Sequence, residues 1–207
     1  MGIKAVLFDM DGVLIEAKDW HYDALNVALE MFGYRISRES HLSTFDGLPT
    51  RRKLQMLTNA GILPAGIHEL INSIKQKYTQ QIVAEKCRPR FDHRFALSRL
   101  KQDGYATAVC SNSVRQSIVN MMGKAGLAPY MDLLVSNEDV KKPKPDPEMY
   151  TYAMAQLGVK PEETVILEDN EHGIAAARAS GAHVLEVVEV SDVNYANISG
   201  FIASLGK

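Results

Sequence analysis

From residue 88 onward the chain alternates helix and strand with little slack between them. A helix over about 92–103 leads into YATAVC (105–110), and one over about 113–125 leads into DLLVS (132–136). A third, about 147–157, precedes TVILED (164–169), and a fourth, about 171–180, precedes AHVLEVV (182–188). Repeated units of this length predict a parallel sheet with helices on both faces. IKAVLF (3–8), rich in branched apolar residues, supplies one more buried strand. Between it and the alternating region lie only helical patterns. DWHYDALNVALEMFG stops at Gly33, PTRRKLQMLTNAG spans 49–61, and PAGIHELINSIKQKYTQQIVAE spans 64–85. The expected fold is therefore α/β: a doubly wound, Rossmann-like core of residues 1–16 and 88–207. An all-helical segment, 17–87, interrupts it after the first strand.

The polar residues cluster where the strands end. Asp9 and Asp11 follow the first strand, and Ser111 and Asn112 the second. NEDVKKPKPDP, with Lys141, Lys142 and Lys144, follows the third, and Glu168, Asp169 and Asn170 the fourth. In a parallel sheet all of them meet at the carboxyl edge, where such folds bind ligands. Two carboxylates ending a buried strand are costly unless something offsets their charge. Asp9, Asp169 and Glu168 are hard oxygen donors suited to Mg²⁺. A metal and a lysine together suit a phosphoryl group, whose transfer depends on positioning and charge neutralisation. Ser111 and Asn112 could donate to its remaining oxygens. One carboxylate can then attack phosphorus while the other handles the leaving-group proton.

Composition sets bounds on this reading. The 207 residues are 46% hydrophobic and 23% charged, with a formal net charge of −2. That balance offers no basic surface for nucleic acid. No apolar run is long enough for a membrane span, and the first residues do not read as a signal peptide. Cys87 and Cys110 have neither metal nor redox spacing. A cytoplasmic protein is expected, and a monomer, since no exposed apolar stripe is evident.

The motifs DMDGVL, Ser111, the Lys142-Pro143 step and LEDNEHGIAAARASGA resemble, in order, the four motifs of the haloacid dehalogenase superfamily. The likeness spans essentially the whole chain and is greatest to the β-phosphoglucomutase-like branch, whose helical cap is inserted after the first strand. The resemblance implies Asp9 as the nucleophile that forms an aspartyl-phosphate and Asp11 as general acid/base, with the Asp11 carbonyl also on Mg²⁺. It implies Asp169 as a metal ligand with Glu168 in or beside the coordination shell, and Ser111 and Lys142 as phosphoryl-binding residues. Lys142 is preferred to Lys141 because it directly precedes the Pro-x-Pro run. In the helical segment, His21, Thr50, Arg51 and Lys77 resemble cap residues that approach the site. The presence of Asp11 argues against dehalogenation.

Each feature alone has a plainer reading. The Asp–Gly turn can end a strand, Ser111-Asn112 can cap a helix, Glu168-Asp169 can favour a helix N-terminus, and His21 can be a packing residue. Their order along the chain favours chemistry. The expected function is a Mg²⁺-dependent phosphatase acting on a small phosphorylated metabolite, with a sugar phosphomutase as the alternative. A non-catalytic phosphate-binding module would have no need of both Asp9 and Asp11.

Overall fold

A computed structural model describes residues 2–206. Five parallel strands form one sheet: β1 (Ala5–Phe8), β2 (Ala106–Cys110), β3 (Leu133–Val135), β4 (Thr164–Glu168) and β5 (His183–Glu186). Their order is β3-β2-β1-β4-β5. The register pairs Leu7 with Ala108 on one side and with Ile166 on the other. The chain runs outward from β1 through β2 to β3, then returns to lay β4 and β5 on the opposite flank. That reversal opens a crevice beyond the carboxyl ends of β1 and β4, the place where open α/β sheets take ligands.

Alternation along the strands sends side chains to two cores. Val6 and Phe8 join Val109, Val165 and Leu167 on one face. That face is covered by α5 (Phe91–Gln102), α6 (Arg115–Lys124) and α9 (Tyr195–Leu205). Leu7, Ala108 and Ile166 join Met149, Tyr150 and Ala176 on the other, under α7 (Glu148–Leu157) and α8 (Glu171–Ala179). The carboxy-terminal segment, whose residue 207 lies outside the described residues, thus contributes α9. Its Ile198 is fully buried in the first core.

Between β1 and α5 the described residues form no strand, only helices, turns and one isolated bridge of Asp11 with Ile15. They are α1 (Lys18–Glu30), α2 (Arg38–Ser40) running into a π-helical turn (His41–Phe45), α3 (Thr50–Asn59) and α4 (His68–Lys86). This insert buries its own apolar set, with Leu25 and Leu29 of α1, Leu54 and Leu57 of α3, and Ile71 of α4. At about 1.5–3 kcal/mol per buried aliphatic side chain, these contacts hold the helices together before any contact with the sheet is counted. No helix among the described residues is long and apolar enough to cross a membrane.

Candidate active site

Asp9 is the first residue after β1, and its backbone N–H donates to Leu167 O on β4 (3.0 Å), so the neighbouring strand fixes its direction. Its carboxylate meets Lys144, whose Nζ lies 2.6 Å from Asp9 Oδ1 and 2.6 Å from Glu168 Oε1. The same ammonium donates to Cys110 O (2.8 Å) and sits 4.8 Å from the centre of the Tyr150 ring. Tyr150 also donates its hydroxyl to Glu168 Oε1. Burial pushes the Asp9 pKa well up. Lys144 opposes the shift, while Glu168, Asp11 and Asp169 reinforce it. A cation beside these acids would reverse that cost.

Asp11 faces a different set of partners. Its Oδ1 meets His21 Nε2 (3.1 Å), and its Oδ2 accepts from Ser113 (3.2 Å) and Ser111 (3.4 Å). His21 Nδ1 in turn lies 3.2 Å from Lys75 Nζ on α4. Burial raises the Asp11 pKa, but His21, Lys75 and Ser113 together outweigh it and hold the group below its usual value. Two acids separated by one residue therefore sit in opposite electrostatic settings.

Oxygens of Asp9, Glu168 and Asp169 lie within 4.8 Å of one another, a set able to hold a metal ion. Asp169 Oδ1 is buried without a hydrogen-bond partner, while Oδ2 faces Lys18 Nζ at 2.5 Å. An orphaned oxygen in an all-oxygen cluster fits a hard divalent cation such as Mg²⁺. Space for the cluster is kept by glycine. At Gly12, whose φ is +95°, a Cβ would collide with the Asp169 carboxylate, and at Gly173 in α8 it would run into Glu168. The Asp11 carboxylate is not part of this cluster.

The site departs from the sequence expectation at several positions. Lys142 is not at the site: its side chain is 73% exposed and pairs loosely with Asp146 at 3.8 Å. Lys144, 3% exposed, is there instead. The Glu148 carboxylate accepts from the backbone N–H of Lys141 and Lys142, and Asn112 Oδ1 accepts from that of Lys144. These bonds pin the loop so that the later lysine turns inward. Lys77 is exposed on α4, and Lys75, two positions earlier and on the opposite side of the helix, faces the site. Asn112 is a brace: its amide donates to Gly47 O (2.9 Å) and Lys144 O (3.2 Å) besides accepting from Lys144 N. Thr50 and Arg51 line the cavity over Asp9 and Asp11, as does His21. Lys18, Ser113, His41, Lys53, Lys75 and Lys144 are site residues that sequence reasoning missed.

The cavity enclosed by these groups has a volume of about 850 Å³. A neutral, buried platform of strand ends carries a carboxylate cluster and an ammonium at its floor, with amines and imidazoles above. That arrangement can bind a phosphoryl group, present a carboxylate to it, and supply or take a proton from the other side.

The chain is 27% identical over 179 residues to the phosphorylated carbohydrates phosphatase of Thermotoga maritima, covering 86% of this chain and 82% of that protein. It is 27% identical over 188 residues to the pyrophosphatase PpaX of Bacillus velezensis, covering 86% and 80% respectively. Among solved structures, β-phosphoglucomutase from Clostridium difficile superposes with a TM-score of 0.85 over 98% of both chains at 19% identity, a likeness of fold. Residues 6–187 match the haloacid dehalogenase-like hydrolase family, a span that starts inside β1 and ends just beyond β5. It takes in every strand and every carboxylate of the site, so this chain belongs to the haloacid dehalogenase-like hydrolases.

Proposed function

We propose that the protein is a Mg²⁺-dependent phosphatase that hydrolyses a small phosphorylated metabolite through an aspartyl-phosphate on Asp9. The observation that carries this reading is the contrast between the two acids. Asp9 sits between Lys144 and two further carboxylates, whereas Asp11 is held by His21, Ser111 and Ser113. The relatives named as a phosphatase of phosphorylated carbohydrates and as a pyrophosphatase point to the same chemistry. A phosphomutase has no comparable support, because the likeness to one is a likeness of fold.

Asp9, Glu168 and Asp169 would hold the metal, whose charge offsets that of the carboxylates and of the incoming phosphate. Lys144 favours the ionised form of Asp9 and aims it, and the metal's charge would offset the rest of the burial cost. Ser111 and Ser113, released from Asp11, can donate to phosphoryl oxygens. An arriving phosphate dianion raises the Asp11 pKa by like-charge repulsion, so Asp11 carries a proton to the leaving oxygen as Asp9 attacks phosphorus. A new Asp9–phosphorus bond forms and the ester oxygen departs as the alcohol. Water then attacks the aspartyl-phosphate and returns its proton to Asp11, which releases phosphate and regenerates Asp9.

On this reading, segment 17–87 is a cap over a core of 1–16 and 88–207, and its His21, Lys75, Thr50 and Arg51 meet the leaving group. Two free, buried thiols, Cys87 and Cys110, suit a reducing compartment such as the cytoplasm. The test is phosphate release from a panel of sugar phosphates and phospho-acids, with Mg²⁺ and with chelator. Wild type should lose activity in chelator, and Asp9→Asn should fall by about 10³-fold or more. Robust release in either condition would sink the proposal.

A further inference from the structure

Two groups on the cap side of the cavity remain unused by this mechanism. Lys53 of α3 is 7% exposed and lines the cavity, yet no carboxylate among the described residues lies within 4.0 Å of its Nζ. His41, 2% exposed, has a buried Nδ1 with no hydrogen-bond partner, and its Nε2 is 3.8 Å from Asp46 Oδ1. Lys75, the other buried lysine of the helical insert, is already engaged by His21. Asp46 is the nearest cap carboxylate, and its Oδ2 is taken by the Asn170 amide at 3.0 Å. The remaining cap acid lining the cavity, Glu69, is exposed.

The Lys53 charge acts on His21, His41 and Lys75 and disfavours protonation of each. Lys53 Nζ opens onto the cavity with no acid beside it, and leaving the buried His41 Nδ1 unpaired is unfavourable. Both suit an acceptor that enters the cavity from outside. The phosphate being transferred cannot be that acceptor, since its partners lie on the floor with Asp9 and Lys144. A neutral alcohol portion would leave Lys53 as it is. A second anion would take the place of water on Lys53 as a charge-assisted partner, and would pair with His41 through Nδ1–H in that tautomer once the ring turns towards the cavity.

We propose that Lys53 and His41 form a subsite for a second anionic group. The preferred substrate is then a phosphate monoester whose alcohol portion carries a further carboxylate or phosphate. This rests on the phosphatase reading above, and it assigns specificity to two residues of this chain rather than to the shared floor of the site. A neutral sugar monophosphate would be a poorer substrate than its charged counterpart of similar size.

The experiment measures binding by calorimetry in the Asp9→Asn background with Mg²⁺ present. Three matched pairs serve as probes: 3-phosphoglycerate with glycerol 3-phosphate, 6-phosphogluconate with glucose 6-phosphate, and fructose 1,6-bisphosphate with fructose 6-phosphate. The first two pairs test a carboxylate and the third a phosphate. The charged member of at least one pair should bind tenfold or more tightly than its partner. Lys53→Met and His41→Gln, each added to that background, should cut the preference below threefold, while Lys53→Arg keeps it. A merely structural lysine would change both members alike. Equal affinities within all three pairs, no binding of any charged member, or a preference that survives both variants would overturn the subsite. Phosphate release by the wild type from the same six compounds reads the catalytic proposal separately. Selective binding without any release would sink the phosphatase and leave the subsite standing.

Discussion

Lys142 and Lys144 are separated by one proline, yet one reaches water and the other the most crowded charge in the molecule. Nothing in KKPKP carries a hydrophobic period, so no pattern sets which lysine turns inward. The choice is made by Glu148 and Asn112, which hold the loop backbone from two different elements. Asp9, Asp11, Ser111, Glu168 and Asp169 were legible for the opposite reason. A parallel strand ends at one defined edge, so position after a strand fixes location. Lys144→Met leaves Asp9 and Glu168 as buried carboxylates without their shared cation, a change that typically costs about 3–5 kcal/mol. Chemical denaturation should show a loss of that order, and phosphate release should fall by about 100-fold or more. Lys142→Met should stay within about twofold of wild type in both measurements, as expected for an exposed charge. The reverse ranking would return the role to Lys142.

At the level of the element, α4 shows how a helical phase places a functional group. Its buried residues are Ile71, Lys75, Thr79 and Val83, each one helical turn beyond the last. The apolar ends of that row, read with their i+4 spacing, could have found Lys75. Lys77 lies about 200° around the helix from it, on the far side. Lys53 likewise lies four residues before Leu57 on the buried face of α3. His41 sits in a π-helical turn that no simple period describes, and it left no signal. The two buried lysines also tie this face to pH. Burial pushes each from 10.5 to about 8; for Lys75 the Lys53 charge adds to the shift, while Asp46 and Asp11 favour the charged form of Lys53. Between those values the unfolded chain binds more protons than the folded one, so stability rises as pH climbs from about 8 towards 10.5. The slope is at most about 1.4 kcal/mol per pH unit for each lysine. Lys53→Met should therefore raise the melting temperature at pH 7.5 and flatten that climb, even as it removes the selectivity for a second anion. A lower melting temperature for this variant would show that Lys53 is satisfied in the unliganded fold.

For the whole molecule the question is what holds the helical insert over the sheet. Most apolar burial serves each side separately, since the insert has its own core, although Val83 of α4 and Trp20 of α1 pack into the core on the sheet. The contacts between them at the site are polar and few. Asn112 Nδ2 donates to Gly47 O, Asn170 Nδ2 donates to Asp46 Oδ2 at 3.0 Å, and Ser117 donates to Gln76 at 3.1 Å behind them. Such bonds, worth about 0.5–1.5 kcal/mol each, allow opening at small cost, which suits the cap role proposed for this segment. Asn170 separates this role from helix formation, because its Oδ1 caps α8 by accepting from His172 N (3.0 Å) while its Nδ2 reaches Asp46. Asn170→Asp keeps an oxygen for the cap, and an acid suits that helix end. It nevertheless sets a carboxylate against Asp46. Hydrogen exchange over residues 45–50 should speed up by about tenfold, and KM should rise more than kcat falls. Exchanging both sides, as Asp46→Asn with Asn170→Asp, restores a donor to face an acceptor with its direction reversed. Exchange protection in that double variant should return to within about twofold of wild type, a coupling of about 1 kcal/mol between two residues 124 positions apart in sequence. Additive losses in the double variant would mean that closure is held elsewhere, by Lys18 on Asp169 or His21 on Asp11. The cap would then close through the catalytic acids themselves, and substrate charge would decide when it shuts.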